Sequence, residues 1–380
     1  MKSIYLDNNA TTPLDPRVFA AMEPAFMQHF GNPASETHSY GWYAKELVTI
    51  AREELAESVG AEPEAVVFTS GATESNNLVL KGLLQRRDGS FNTDAEVVSV
   101  KTEHRAVLEP LEDLAKAGVK VHLLEVDSEG ALSLDALEAA LNENTALVSV
   151  MLANNEIGTI HPVAKIAEIC RARGALLHCD ATQGFGRLAL SMASLGADFI
   201  SLSAHKCYGP KGSGALIASS SARLQSLSPL LTGGGHEHGL RAGTLNTPLI
   251  VGFGRTATLA TAEFEQNQAR LTELSAQLME ILSEKCDVLL NGPKVRLPGN
   301  LNLSFPAIES TQLIGKVSSK LAISTSSACS SSKAHGSHVL QALGLRKERI
   351  RSSVRIGIGK FTTEEEVKAA AAILLDAIPH

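Results

Sequence analysis

Short apolar runs, each ending in polar or glycine-rich residues, alternate with longer amphipathic stretches over much of this chain. The runs at 66–68, 97–100, 119–126, 147–152, 175–180 and 199–203 are nearly continuous in Val, Ile, Leu and Phe, as strands buried on both faces are. Helical patterns are expected over 17–29, over 41–59 and from about 249 to 285. Strands that alternate with helices build an open, mostly parallel sheet, and such sheets bind ligands at the carboxyl ends of their strands. The expected fold class is therefore α/β. A large domain over 16–256 holds a mostly parallel mixed sheet, and 1–15 joins 257–380 in a smaller α+β domain with strands at 4–6 and 300–305.

Two strand ends carry the chemistry. The run 199–203 stops at a Gly-Pro-Lys-Gly turn that can continue neither strand nor helix, which leaves Lys206 at an element's end facing a cavity. Such a lysine is either a solvated loop residue or a Schiff-base lysine activated by desolvation and nearby charge, with His205 beside it. The run 175–180 delivers Asp180, with Gln183 three positions on. A buried acid there needs a partner, and the pyridine nitrogen of pyridoxal phosphate is one: a carboxylate keeps it protonated, so that the ring can accept electrons from a substrate carbanion. Lysine and aspartate on neighbouring strand ends are more specific than either alone.

Further candidates lie on the same side. After 66–68 the segment Thr69-Ser-Gly-Ala-Thr-Glu runs into a helix, and free amides at a helix start attract phosphate. Ala72 and Thr73 are the expected contacts, although Thr73 could also be a plain N-cap. No GxGxxG dinucleotide pattern is present. His104 follows the strand at 97–100 and either serves structure or stacks on a cofactor ring, and 147–152 leads to Asn154. The glycine-rich stretch 233–244 ends in Thr244, which could reach a phosphate across a dimer interface. His178 and Asp198 read as structural.

Composition narrows the class. The 380 residues are 44% hydrophobic with a net charge of −7, and no basic block suggests a nucleic-acid footprint. No apolar run reaches membrane-spanning length, and the start of the chain lacks a signal-peptide pattern, so a cytoplasmic protein is expected. The five cysteines show no CxxC pair or even framework, which argues for reduced thiols and against a metal site. Only Cys329, in a loop of small polar residues over about 323–337, is placed to move. Lys333 and His335 nearby could lower its pKa. Arg355 opens a late strand and suits a carboxylate fork.

With these residues in view, the sequence resembles the cysteine desulfurases, pyridoxal phosphate enzymes of the class V aminotransferase-like fold. The motifs run end to end: LDNNATTPLDPRV, FGNPASETHSYGW, FTSGATESNN, TEHRAVL, NNEIGTI, DATQGFGR, SAHKCYGPKGSGAL, GGGHEHGLRAGTL, SSACSSSKAHGSHVL and RSSVRIGIGKFTTEEE. The resemblance implies a fold of type I among pyridoxal 5'-phosphate enzymes and the conversion of L-cysteine to L-alanine. It makes Lys206 the cofactor-bearing lysine and α-proton base, Asp180 the pyridinium partner, His104 the stacking group and proton shuttle, and Gln183 the partner of the ring hydroxyl. Asn154 would support the ring. Ala72, Thr73, Ser203 and His205 would hold the phosphate with Thr244 of a partner subunit, while Asn32, Asn154 and Arg355 would orient the substrate carboxylate. Cys329 would take the sulfur as a persulfide.

The implied partners are a sulfur acceptor, such as a scaffold or sulfur-carrier protein for iron–sulfur cluster or other sulfur-compound biosynthesis, and a second subunit in a homodimer. The family often shows arginine and serine where this chain has His238 and Ala242, and the longer tail of iron–sulfur housekeeping members is not seen after 360–366. A selenocysteine lyase would use the same apparatus. A sulfur-carrier subunit acting mainly by binding partners is disfavoured, because Lys206, Asp180 and Cys329 are all present.

Overall fold

The computed structural model describes residues 3–86, 88–325 and 336–379. The central seven-stranded sheet has the order Val66–Thr69, Gly214–Ala218, Phe199–Ser203, Leu176–Asp180, Thr145–Ser149, Glu96–Val100, Lys120–Leu124. Neighbours pair in parallel except around Gly214–Ala218, which opposes both of its partners. The sheet is α/β in class, mixed and mostly parallel. The strands Glu96–Val100, Phe199–Ser203 and Gly214–Ala218 are buried on both faces, which is why they read as nearly continuous apolar runs. One face packs against Ser39–Ser58 and Thr247–Ala262, and the other against Ala72–Leu84 and Arg105–Lys116.

A second core gathers Leu271, Leu278, Leu303, Phe305, Ile356 and Leu374. It belongs to an antiparallel sheet ordered Ser324–Thr325, Ser353–Gly357, Asn300–Ser304, Leu289–Leu290. The amino-terminal strand Ile4–Tyr5 pairs in parallel with Leu321–Ala322, and Leu6 sits in this second core. The helical pattern expected from 249 to 285 is two helices, Thr247–Ala262 and Phe264–Ser283, joined at Glu263 with φ −101° and ψ 4°. The first serves the sheet core and the second the smaller one. The change of core thus falls at Glu263, whereas a boundary between 256 and 257 would cut the first helix.

Glu263 is held from both sides. Its carboxylate pairs with Arg17 at 2.6 Å and with Lys360 at 3.1 Å, and Lys360 also reaches Asp15 at 2.7 Å. The Lys360 side chain is 8% exposed and its amine lies over the Tyr208 ring, 4.6 Å from the centre, so this network ties the smaller part of the molecule to the turn just after Lys206. Among the described residues no helix is long and apolar enough to cross a membrane.

Candidate active site

Lys206 ends a short 3-10 turn, Ala204–Lys206, that follows the strand Phe199–Ser203. Its ε-amine donates to the carbonyls of Asn9 and Ala10, both at 2.8 Å, so the amino-terminal segment sets where the amine rests. Asp180 closes the adjacent strand Leu176–Asp180. Its carboxylate accepts from Asn76 Nδ2 at 2.7 Å and from the Thr182 amide at 3.0 Å. Both residues line one cleft of about 500 Å³, together with Ala72, Thr73, His104, Gln183, Ser203 and His205.

One end of that cleft is built for an anion. The helix Ala72–Leu84 begins at Gly71 with no side chain capping its first amides. These amides and the positive end of the helix face the cleft beside Lys211, Ser203 and His205. Gly71 has φ +155°, and a Cβ on Gly214 would lie 2.4 Å from Gly71 Cα, so two glycines allow the backbone to close around this end. Arg241 supports the same helix start through Glu74, Nε to Oε1 at 3.1 Å. At the other end, Gln183 donates to the Asn9 carbonyl at 3.0 Å and leaves its own Oε1 buried without a partner. An unmet acceptor there suits a ring hydroxyl.

Burial makes the surroundings neutral. Burial, and then the neighbouring Asp180, push Glu103 well above the usual carboxyl range. Burial lowers His178 to about 4, and its ring bridges Ser149 Oγ at 2.8 Å and Ser201 Oγ at 2.9 Å beneath the strand end. Burial and then Lys206 and Lys211 bring His205 to about 4. His104 is lowered too, mainly by burial, while its Nδ1 accepts from the Ala106 amide at 3.1 Å and caps the helix Arg105–Lys116. With Nδ1 an acceptor, the neutral ring carries its proton on Nε2. An electron-accepting ring with a phosphate tail fits this donor set: amides for the phosphate, Gln183 for the hydroxyl, Asp180 for the ring nitrogen and Lys206 for the aldehyde.

Four of the expected residues lie elsewhere. Asn154 spends its amide on the backbone, donating to Thr102 O at 2.9 Å and accepting from the Glu156 and Ile157 amides at 2.8 and 3.0 Å, and Asn155 lines the cleft instead. Arg355 is buried behind Asn155, paired with Asp7 at 3.0 Å, and its Nε has no partner. Asn32 is exposed and accepts from the Ala34 amide at 3.0 Å in its own turn. Thr244 is exposed and outside the cleft of its own chain. Cys329, Lys333 and His335 lie outside the described residues.

The cleft also uses Ala10, Thr11, Asn76, Thr182 and Lys211, which the sequence reading passed over, and Asn155, which follows the strand at 147–152 beside Asn154 and was given no role. Lys211 had a usable signal, a cation inside the glycine-rich turn that follows Lys206. Asn76 had none, because its partner Asp180 is 104 positions away.

The chain matches the aminotransferase class-V family over residues 4–370. A cysteine desulfurase IscS from Anaeromyxobacter sp. (strain Fw109-5) is 45% identical over 377 residues, covering 99% of this chain and 92% of the relative. Another, from Rickettsia bellii (strain OSU 85-389), is 43% identical over 377 residues, covering 99% and 91%. A solved NifS-like protein superposes with a TM-score of 0.90 at 35% identity and covers 99% of each chain. With the family match spanning both cores and the lysine, aspartate and helix start meeting in one cleft, this chain belongs to the class-V aminotransferase family of pyridoxal phosphate-dependent enzymes.

Proposed function

We propose that this enzyme is a cysteine desulfurase, which converts L-cysteine to L-alanine and passes the sulfur to an acceptor. The observation that carries the reading is the meeting of Lys206, Asp180 and an uncapped helix start in one cleft. Bound pyridoxal phosphate supplies an electron sink for the substrate's α-carbon. Lys206 would take the α-proton on Nζ and Asp180 would hold the ring nitrogen's proton, while Arg355, buried behind Asn155 on Asp7, would have to exchange Asp7 for the substrate carboxylate. The Cys329 thiolate then attacks the substrate sulfur. A sulfur–sulfur bond forms, the carbon–sulfur bond breaks, and its electron pair stays with carbon to be protonated as alanine is made.

The other thiols support Cys329 by contrast. Burial pushes Cys170 up to about 12, Cys207 to about 11 and Cys179 well above the ordinary value, and Cys286 is raised as well. A raised pKa leaves little thiolate to act as a nucleophile. The test is alanine release from L-cysteine by wild type and Cys329→Ala, with reductant present and the cofactor spectrum recorded. The expected variant still binds cysteine but releases no alanine; equal release by both proteins would remove Cys329 from the mechanism.

His104 sets the acid side of the reaction. A proton arriving on Nδ1 would break the Ala106 contact and place a cation near Lys206, so the ring must be neutral to relay the thiol proton. Because His104 is lowered from 6.5, the acid limb of kcat/KM is expected below that pH. A limb above it that survives His104→Gln would assign the titration to another group.

A homodimer is part of the reading. Phe19, Phe26, Met27, Tyr40, Trp42 and Tyr43 are all exposed on or beside the helices Pro16–Met27 and Ser39–Ser58, an apolar face of the kind that a second copy would cover. The exposed Thr244 would then serve the partner's phosphate. Sedimentation is expected to give twice the mass of one chain, and a single-chain mass at working concentration would count against this arrangement. Reduced thiols fit a cytoplasmic enzyme, and the acceptor would be a scaffold or sulfur-carrier protein.

A further inference from the structure

The strand Ser353–Gly357 carries Arg355 at its centre, and the amino-terminal segment lies against its end. Asp7 bridges in parallel to Gly357, and the Asn8 amide and side chain both donate to the Gly357 carbonyl, at 3.1 and 2.8 Å. A Cβ on Gly357 would lie 2.7 Å from Asn9 N, so glycine is what lets the two backbones come this close. That approach sets the Asp7 side chain beside Arg355. The next carbonyls of the same segment, those of Asn9 and Ala10, hold the Lys206 amine.

The hold of Asp7 on Arg355 is single. Its Oδ1 is 3.0 Å from Arg355 Nη2, while its Oδ2 accepts from the Ser324 hydroxyl at 2.6 Å. A carboxylate that pairs fully with an arginine takes two neighbouring nitrogens at once. In Arg355 the Nε is buried with no partner among the described residues, and Nη1 reaches the carbonyl of Asn155, a cleft residue, at 3.5 Å. The Arg355 side chain is 2% exposed and that of Asp7 17%. A guanidinium so buried is costly without an anion, and Asp7 supplies one between turnovers.

We propose that Asp7 is a specificity-determining residue that stands in for the substrate carboxylate: it fills half of the Arg355 fork and yields only to a ligand whose carboxylate takes both halves. The proposal rests on the reading of Arg355 as the carboxylate fork of a desulfurase and deepens it. An α-amino acid can exchange two contacts for one, after which Asp7 keeps Ser324 and its exposed edge meets water. An amine without a carboxylate has nothing to offer in exchange. Asp7 thus keeps the buried guanidinium charged and in place, and it lowers the affinity of every carboxylate that must displace it.

Two ligands separate this role from a structural one: L-alanine, the product of the proposed reaction, and L-alaninol, in which a hydroxymethyl group replaces the carboxylate. Binding of each to the holoenzyme is read from the cofactor's absorbance and by calorimetry. Asp7→Asn keeps the shape and an acceptor for Ser324 but removes the charge. It is expected to bind L-alanine about ten-fold more tightly, the order of one charge-assisted hydrogen bond, with L-alaninol within about two-fold of wild type. A merely structural ion pair would act the other way, since its loss would loosen Arg355 and weaken L-alanine. Asp7→Ser, which shortens the side chain and admits water beside the guanidinium, carries the same expectation and keeps the test open if Asp7→Asn does not fold. Unchanged or weaker L-alanine binding in the folded variant, or an equal change for both ligands, would overturn the proposal. Arg355→Gln is expected to weaken L-alanine and not L-alaninol; L-alanine binding that survives this change would instead remove the fork reading, and this proposal with it.

Discussion

Lys206→Ala is expected to lower alanine release from L-cysteine by at least about a thousand-fold, because a positioned proton-transfer group contributes roughly 10²–10⁴ and the cofactor would also lose its covalent tie. The loss is chemical rather than structural. The ε-amine meets the Asn9 and Ala10 carbonyls at the edge of an open cleft, where water can replace it. Lys206→Arg provides the control. A guanidinium can still donate to both carbonyls and keeps the charge, but it does not deprotonate and so cannot serve as the nucleophile or base. Both variants are expected to melt close to wild type and to be inactive. Activity of Lys206→Arg within about ten-fold of wild type would mean that the lysine only holds charge, since the base contribution would then be missing from the ledger of the reaction.

Asp180→Asn is expected to cost about a thousand-fold in kcat with the fold intact, a loss within the range of a charged group that controls a proton in the reaction. The surroundings tolerate the amide. The Thr182 amide can still find an oxygen, and the Asn76 side chain can turn over, because its Oδ1 is buried without a partner and would accept from the new NH₂. What disappears is the negative charge that, in the proposed role, would keep the ring nitrogen protonated, and no substitute is at hand. Burial disfavours a charge on Glu103, and it lowers His178 to about 4 while both ring nitrogens are engaged by serines. The check is alanine release beside a spectral titration with cysteine. Binding retained with turnover lost would place the effect on the electron sink, whereas turnover within ten-fold of wild type would leave Asp180 without that role.

Particular elements show how far the sequence reaches. The strands at 66–69, 96–100 and 199–203 were legible because a strand buried on both faces favours apolar residues on both of them, so polar residues are few along the run. Lys206 was legible because glycine and proline end the run just beyond it. The break at Glu263 was not legible. No glycine or proline marks it, and the helix ends because its two halves bury their apolar faces in different cores while Arg17 and Lys360 converge on one carboxylate.

Asn154 and Asn155 draw the line most sharply. Both follow the same strand, and local chemistry cannot tell them apart. The turn uses the first to satisfy the Glu156 and Ile157 amides, which leaves the second to line the cleft. The sequence by itself determined the fold class, the strand ends and the residue types delivered there, because these follow from hydrophobic periodicity and backbone stereochemistry within a few residues. Tertiary structure alone decided which polar groups meet, such as Asn76 with Asp180, Asp7 with Arg355 and Glu156 with Ser337. Buried polar atoms must find partners, and the packing of distant segments determines which ones are within reach.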